Sequence, residues 1–379
     1  MMQTYDAIII GAGPAGLMAA RELEANNVDY LIMEAKSKIG SPLKCGEITR
    51  QDTFLELFER TDYFFIKNKI SNISFRVKET EKVIKKNMIM LDKPQFLRWL
   101  AGPIENNLML NTKLEDIRHK PDILQISTSQ GTFHAKLVIL AHGTKYNVQK
   151  TFELVKKDIE LVPCIGGLFE NTTLNQNTAY FSYDEDMGIA SWAFPKENNI
   201  VNAGAGIILK SKEKENPNLR ESFRHLMNQL EIPLYGEPCY AGRYVTNGPI
   251  DRTYSDRLLI CGDAAGQIFA GIGEGIYFSL KAGQLAGQTA IKAVKQETFN
   301  KEFLKEYETH WKKSFGRQLD AGLILTTILF FLMRHKLVLK ALESIKPKEI
   351  FDIWFKGMVS VRLKLFYYLL KIFGCKLKR

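Results

Sequence analysis

The stretch YDAIIIGAGPAGLMAARELEANNVDYLIMEA, residues 5–35, decides how the chain is read. A short apolar run enters a glycine turn, apolar residues at helical spacing follow, and a second apolar run ends in an acid. Strand, glycine turn, helix and strand make a βαβ unit of a parallel sheet. Gly11, Gly13 and Gly16 form GxGxxG at the turn, with Pro14 and Ala15 between them. Gly11 permits the tight turn, Gly13 lets a pyrophosphate approach the backbone, and Gly16 lets helix and strand pack closely. The helix N-terminus faces the phosphates, and Glu34, followed by Ala35, ends the second strand where it can hold ribose hydroxyls. This predicts dinucleotide binding.

The choice between NAD and FAD falls to RLLICGDAAGQIFAGIGEGI, residues 257–276. Gly262 and Asp263 end a strand, where an acid can accept hydrogen bonds from a ribityl chain. Gly273, Gly275 and Ile276 open a helix whose N-terminal dipole favours an anionic reduced flavin. The cofactor expected is therefore FAD. AGAGI at 203–207 runs into no matching helix and reads as a turn or strand, so a second Rossmann domain for NAD(P)H is not expected.

Between these two anchors the pattern changes. SNISFRV (71–77) alternates like a strand, and DKPQFLRWLA starts a helix with Asp92 as N-cap and Pro94 in its first turn. Short strands follow to Gly143. From about 150 to 245, IGGLFE, TAYFSY, GIASWAFP and NIVNAGAGI read as an antiparallel sheet. The expected architecture is α/β. A discontinuous Rossmann-like FAD-binding domain (1–62, 80–150 and 246–300) is interrupted by an antiparallel β substrate domain (63–79 and 151–245), and a helical region (301–379) closes the chain.

The chain has 379 residues and a net charge of +10. From Arg334 to Arg379 there are twelve Lys/Arg against three acids, so this tail holds +9 of that charge. Its basic residues interleave with Phe351, Trp354, Phe355, Phe366 and Tyr367, which reads as an anionic membrane surface rather than nucleic acid. The apolar run AGLILTTILFFLM (321–333) is shorter than the roughly 20 residues of a spanning helix, so it is expected to lie on or dip into a bilayer rather than cross it, the other reading of run and tail being buried helices of a C-terminal domain with lysines on the solvated face. No signal-peptide pattern opens the sequence, and a cytoplasmic protein, peripheral on the inner face of the membrane, is expected. Five scattered cysteines form no CxxC pair, which argues against a disulfide framework, a paired-thiol redox centre or a metal site.

That leaves one thiol to explain, in SPLKCGEIT (41–49). Taken alone Cys45 is more often a small buried filler than a reactive group. Trp192, Phe194 and Pro195 in SWAFP can line a cavity or simply fill a core. His142 reads as an ordinary loop histidine, Glu47 as an acid near the thiol, and Arg98 as a cofactor contact or a structural residue.

Residues 4 to 290 resemble the FAD-dependent geranylgeranyl reductases, in particular those acting on archaeal digeranylgeranylglycerophospholipids. The resemblance rests on GAGPAGLMAA with Glu34, PLKCGE, SWAFPK and GDAAGQIFAGIGEGI, in that order. The family's Pro-x-x-Cys-Gly maps onto Pro42, Cys45 and Gly46. Its Tyr-x-Trp-x-Phe-Pro maps onto Ala190, Trp192, Phe194 and Pro195, with the tyrosine missing, and Ala270 stands where a proline is common. The resemblance implies the aromatic-hydroxylase-like flavoprotein fold and saturation of prenyl C=C bonds. It places Cys45 and Gly46 at the reacting centre, and Trp192, Phe194 and Pro195 at the isoprenoid phospholipid substrate. The implied electron donor is a ferredoxin or transiently bound NAD(P)H. A lipid or quinone monooxygenase, or a non-catalytic lipid-binding flavoprotein, are the other readings. Against the first, hydroxylases of this fold carry histidine and proline where this chain has Ala265 and Ala270.

Overall fold

The computed structural model describes residues 3–170, 174–208, 219–229 and 240–372. The βαβ unit forms as the sequence dictates. The strand Thr4–Ile10 pairs in parallel with Tyr30–Met33 across the helix Pro14–Ala25. The apolar run ending at Leu140 is the central strand Gly131–Leu140, parallel to Thr4–Ile10 on one side and to Leu258–Ile260 on the other. The nucleotide sheet is thus assembled from segments 250 residues apart, as a discontinuous domain requires. Asp92 caps the helix Lys93–Ala101 by accepting the Gln95 N–H at 2.9 Å, with Pro94 in its first turn.

The second sheet corrects two expectations. Thr80–Leu91, assigned from sequence to the nucleotide domain, pairs along its length with Ile66–Val77, and Ile48–Arg50 joins its outer edge. The boundary at 80 therefore falls inside a hairpin, and the second sheet reaches back to the cysteine segment. Nor is this sheet wholly antiparallel: Thr178–Asp184 runs parallel to Ile66–Val77, joining the early hairpin to the later strands. Val201–Ile207, which contains AGAGI, is a central strand between Leu161–Phe169 and Ile189–Pro195.

After the helix Ile276–Lys295 the described residues, to Ile372, form helices joined by short connections. One helix, Lys301–Arg334, is by length and composition apolar enough to cross a membrane. Its run 321–333, expected to lie on a bilayer, packs inward instead. Leu329, Phe330 and Met333 are buried, and a Cβ built at Gly322 would stand 3.0 Å from the Ala270 backbone nitrogen in the loop before the long helix. The C-terminal helices therefore roof the space between the two sheets.

Candidate functional site

The three glycines of the turn do three different things. Gly11 has φ +106°, and a Cβ there would stand 2.5 Å from the Ala141 carbonyl oxygen. One at Gly16 would stand 1.8 Å from the Gly11 oxygen, which makes this the contact between helix and strand. Gly13 has nothing within 4 Å of such an atom, leaving open space in front of a helix N-terminus that no side chain caps. The Glu34 carboxylate spends two acceptor positions on the Ala12 and Lys36 N–H groups, at 2.9 and 3.0 Å, and pins the turn. Beside Gly11, His142 Nδ1 is buried with no hydrogen-bond partner. Burial, with Lys145 nearby, pushes its pKa down to about 4, so the ring is neutral. An open cradle, free backbone donors and an unspent buried acceptor fit a dinucleotide.

The flavin loop meets this turn from the other side. Asp263 is buried directly after Gly262, and burial raises its pKa against the opposing charge of Lys93. Tyr146 donates its hydroxyl to the Asp263 carbonyl, and Gln149 donates to that of Ala264 at 2.9 Å. Gly275 precedes the helix Ile276–Lys295, whose N-terminus also has no side-chain cap. Both helix N-termini thus offer unpaired N–H groups that would face an anionic cofactor. Arg98 is exposed on its helix and Ala35 lies exposed beyond its strand, both away from the cavity described next.

A cavity of about 210 Å³ opens between the two sheets, lined by Pro14, Cys45, Gly46, Asp263, Gly273, Gly275 and Ile276 together with Trp192 and Phe194. The structure therefore brings the cysteine segment, the flavin loop and the SWAFP strand into one space. Pro195 does not join them: it pairs with Val201 at the strand end, and its carbonyl accepts from Asn68 at 3.0 Å.

The cysteine segment is held by polar contacts that sequence reading missed. Cys45 Sγ accepts the Glu47 N–H at 3.3 Å, and its carbonyl accepts from Asn202 and Tyr240 at 2.9 and 3.2 Å. Glu47, read from sequence as an acid near the thiol, is buried with φ +65° and fully engaged. It receives Lys196 Nζ at 2.8 Å, Asn202 Nδ2 at 3.0 Å and the Lys93 N–H at 2.8 Å. It anchors a loop. Lys93 lines the cavity together with Cys45. Burial alone would lower the Lys93 pKa, but Cys45, Asp263 and Glu47 outweigh it and hold the ammonium charged.

The SWAFP strand fits against the same loop. A Cβ on Gly46 would stand 2.9 Å from Phe194 Cε2 and 3.4 Å from Trp192 Nε1, and Trp192 itself lies over Gly204. Trp192 donates to Asn202 Oδ1 at 3.1 Å, so its ring orientation is fixed by the residue that also holds Cys45. Ala190, where the resembled motif has tyrosine, lines the cavity, and its cross-strand partner Tyr183 lines it too. The cavity keeps a tyrosine at this level, from the neighbouring strand.

A second missed cluster closes the roof. Arg50, 2% exposed, grips Glu274 with two nitrogens at 2.7–3.1 Å, and Trp354 donates to the same carboxylate at 2.7 Å. Behind Trp354 lies a chamber of about 130 Å³, lined by Phe75, Leu325, Leu329, Val338 and Ile350 among other apolar side chains. Tyr183, Ile272 and Trp354 line both spaces, so the two adjoin.

A Rossmann-type nucleotide turn, a flavin loop and the cavity between them define an FAD-dependent oxidoreductase, and FAD is its cofactor. A family model described as pyridine nucleotide-disulphide oxidoreductase matches residues 8–158, the nucleotide-binding part. The chain is 28% identical over 370 residues to the digeranylgeranylglycerophospholipid reductase of Methanocaldococcus jannaschii, covering 91% of this chain and 88% of that one. Among solved structures, the geranylgeranyl bacteriochlorophyll reductase-like protein of Thermoplasma acidophilum superposes with a TM-score of 0.78 at 18% identity, covering 100% of this chain and 98% of that one. A probable FAD-dependent monooxygenase from Pseudomonas aeruginosa superposes at 0.68 and 12%, covering 90% and 100%. The fold alone is shared by reductases and oxygenases, so the site must choose between them.

Proposed function

We propose that the protein saturates C=C bonds of geranylgeranyl chains carried on glycerophospholipids. The observation that carries this reading is the apolar chamber that adjoins the Cys45 cavity, with Tyr183, Ile272 and Trp354 lining both. An isolated alkene offers nothing to hydrogen-bond, so a site for it must work by shape and dryness. A chamber walled by aliphatic and aromatic side chains suits an isoprenoid and would leave a polar substrate unsolvated. The names of the similar reductases point the same way.

Bound FAD, once reduced, supplies the hydride for one alkene carbon. The chain supplies the proton for the other. Cys45 and Lys93 both line the cavity, and in this reading the Cys45 thiol gives that proton and the Lys93 ammonium restores it. Trp192 and Phe194, packed on Gly46, orient the chain and exclude water. The electron donor in this reading is a ferredoxin or transient NAD(P)H, and the enzyme works at the cytoplasmic face of a membrane.

The test is anaerobic incubation of the chemically reduced protein with a geranylgeranyl glycerophospholipid, followed by mass analysis of the lipid. A gain of two hydrogens per double bond supports reduction. Gain of oxygen on admitting air would assign a monooxygenase, the reading favoured by the fold likeness to that class. An unchanged lipid with FAD bound would leave a carrier.

A further inference from the structure

The helix Val361–Ile372 is apolar on two sides. Tyr367 and Leu370 are buried against the long helix at Ile328, and Phe366 meets Phe331 edge-on at 5.4 Å. The opposite side carries Val361, Leu365, Tyr368, Leu369 and Ile372, which are 73%, 59%, 58%, 49% and 75% exposed. These positions fall at i, i+4, i+7, i+8 and i+11, which is one continuous stripe along a helix. On a surface helix of a globular protein that stripe would be polar. Arg362, Lys364 and Lys371 flank it, and the sequence has no acidic residue after Asp352.

We propose that the outer face of this helix docks the protein on an anionic bilayer, its apolar stripe in the headgroup boundary and its basic flanks among the lipid phosphates. Charge complementarity selects this occupant. A second copy seated on the same stripe about a two-fold axis would bring Arg362, Lys364 and Lys371 against their own kind, with no acid on either helix to pair them. Position in the fold agrees. The helix rests on Ile328 and Phe331 of the long helix, whose Leu325 and Leu329 line the apolar chamber from the other side. Between a bilayer on the stripe and that chamber stand only this helix and the long helix. The docking surface does not rest on the reduction reading.

The test uses the full chain with FAD bound, sedimented with phosphatidylcholine vesicles with and without phosphatidylglycerol. Wild type is expected to bind the anionic vesicles at least about ten-fold better, with the preference shrinking as salt rises. The triple variant Val361→Glu, Leu365→Glu, Leu369→Glu is expected to lose about ten-fold or more in binding while keeping its FAD absorbance, because these side chains face away from the fold. If that variant releases its FAD, Lys364→Gln with Lys371→Gln decides instead, by loss of the anionic preference. Undiminished binding by the variants, or equal binding to both vesicles, overturns the proposal. So does a triple variant that elutes as a smaller particle while still binding vesicles, which would give the face to a second copy. No arm uses turnover, so a failure of the proposed reaction leaves this test standing.

Discussion

Lys196 and Glu47, 149 residues apart, form a buried ion pair at 2.8 Å whose side chains are 8% and 1% exposed. The pair ties the SWAFP strand to the cysteine loop. Removing one partner leaves the other charge buried and alone, at a cost of roughly 3–5 kcal/mol. Lys196→Met is therefore expected to lower the unfolding free energy by about that much, and Lys196→Met with Glu47→Gln by clearly less, because neither charge is then stranded. Urea unfolding of both variants checks this. Equal losses would mean that the pair is not what holds the loop.

Gly46→Ala tests the contact on the far side of that loop. The added methyl would stand 2.9 Å from the Phe194 ring, so Phe194 or Trp192 must move out of the cavity wall. The nucleotide turn at Gly11 and Gly13 is untouched. The expected outcome is retained flavin with kcat/KM for the prenyl substrate lowered by about ten-fold or more, as a misplaced positioning residue allows. Unchanged kinetics would place the substrate elsewhere.

How much of this was legible in the sequence depends on range. The nucleotide turn is legible because Gly11, Gly13 and Gly16 report backbone approach within a few residues of each other. The flavin loop at Asp263 is legible for the same reason. The strand Thr80–Leu91 is not, since its partner is fixed by sheet pairing that no local pattern encodes. Arg50, Glu274 and Trp354 come from three distant segments, and a lone arginine at the end of a strand carries no signal of a carboxylate 224 residues on. Ala190 reads as a missing tyrosine until Tyr183 is seen opposite it.

Trp354→Phe removes the donor that completes the Glu274 carboxylate and keeps most of the apolar wall. A buried charged acceptor deprived of one hydrogen bond costs about 1–3 kcal/mol. Thermal or urea unfolding should register that loss without release of FAD, because Arg50 still neutralises Glu274. A variant as stable as wild type would show that the indole N–H contributes nothing net.

His142 gives a pH signature. Its folded pKa is lowered from the ordinary 6.5 to about 4, so the unfolded chain takes up the proton first. The stability this contributes is fully present above about pH 6.5 and is lost as pH falls toward about 4, by up to about 3 kcal/mol. The FAD-free protein carrying His142→Asn should therefore lose less stability across that window than wild type. Parallel slopes in urea unfolding over the window would contradict a buried neutral ring.

Tyr183 and Ala190 face each other across neighbouring strands and both line the cavity, so a single phenol ring occupies a level that either strand could supply. Ala190→Tyr alone places two such rings there, and overpacking of this kind costs about 1–3 kcal/mol and narrows the passage toward Trp354. Tyr183→Ala alone opens that passage. If the two positions share one function, Tyr183→Ala combined with Ala190→Tyr should recover much of the stability lost by Ala190→Tyr and much of the turnover lost by either. A double variant no better than the worse single one would show that the tyrosine must stand on the strand Thr178–Asp184, and that its reach toward the chamber, rather than the volume it fills, is what the cavity requires.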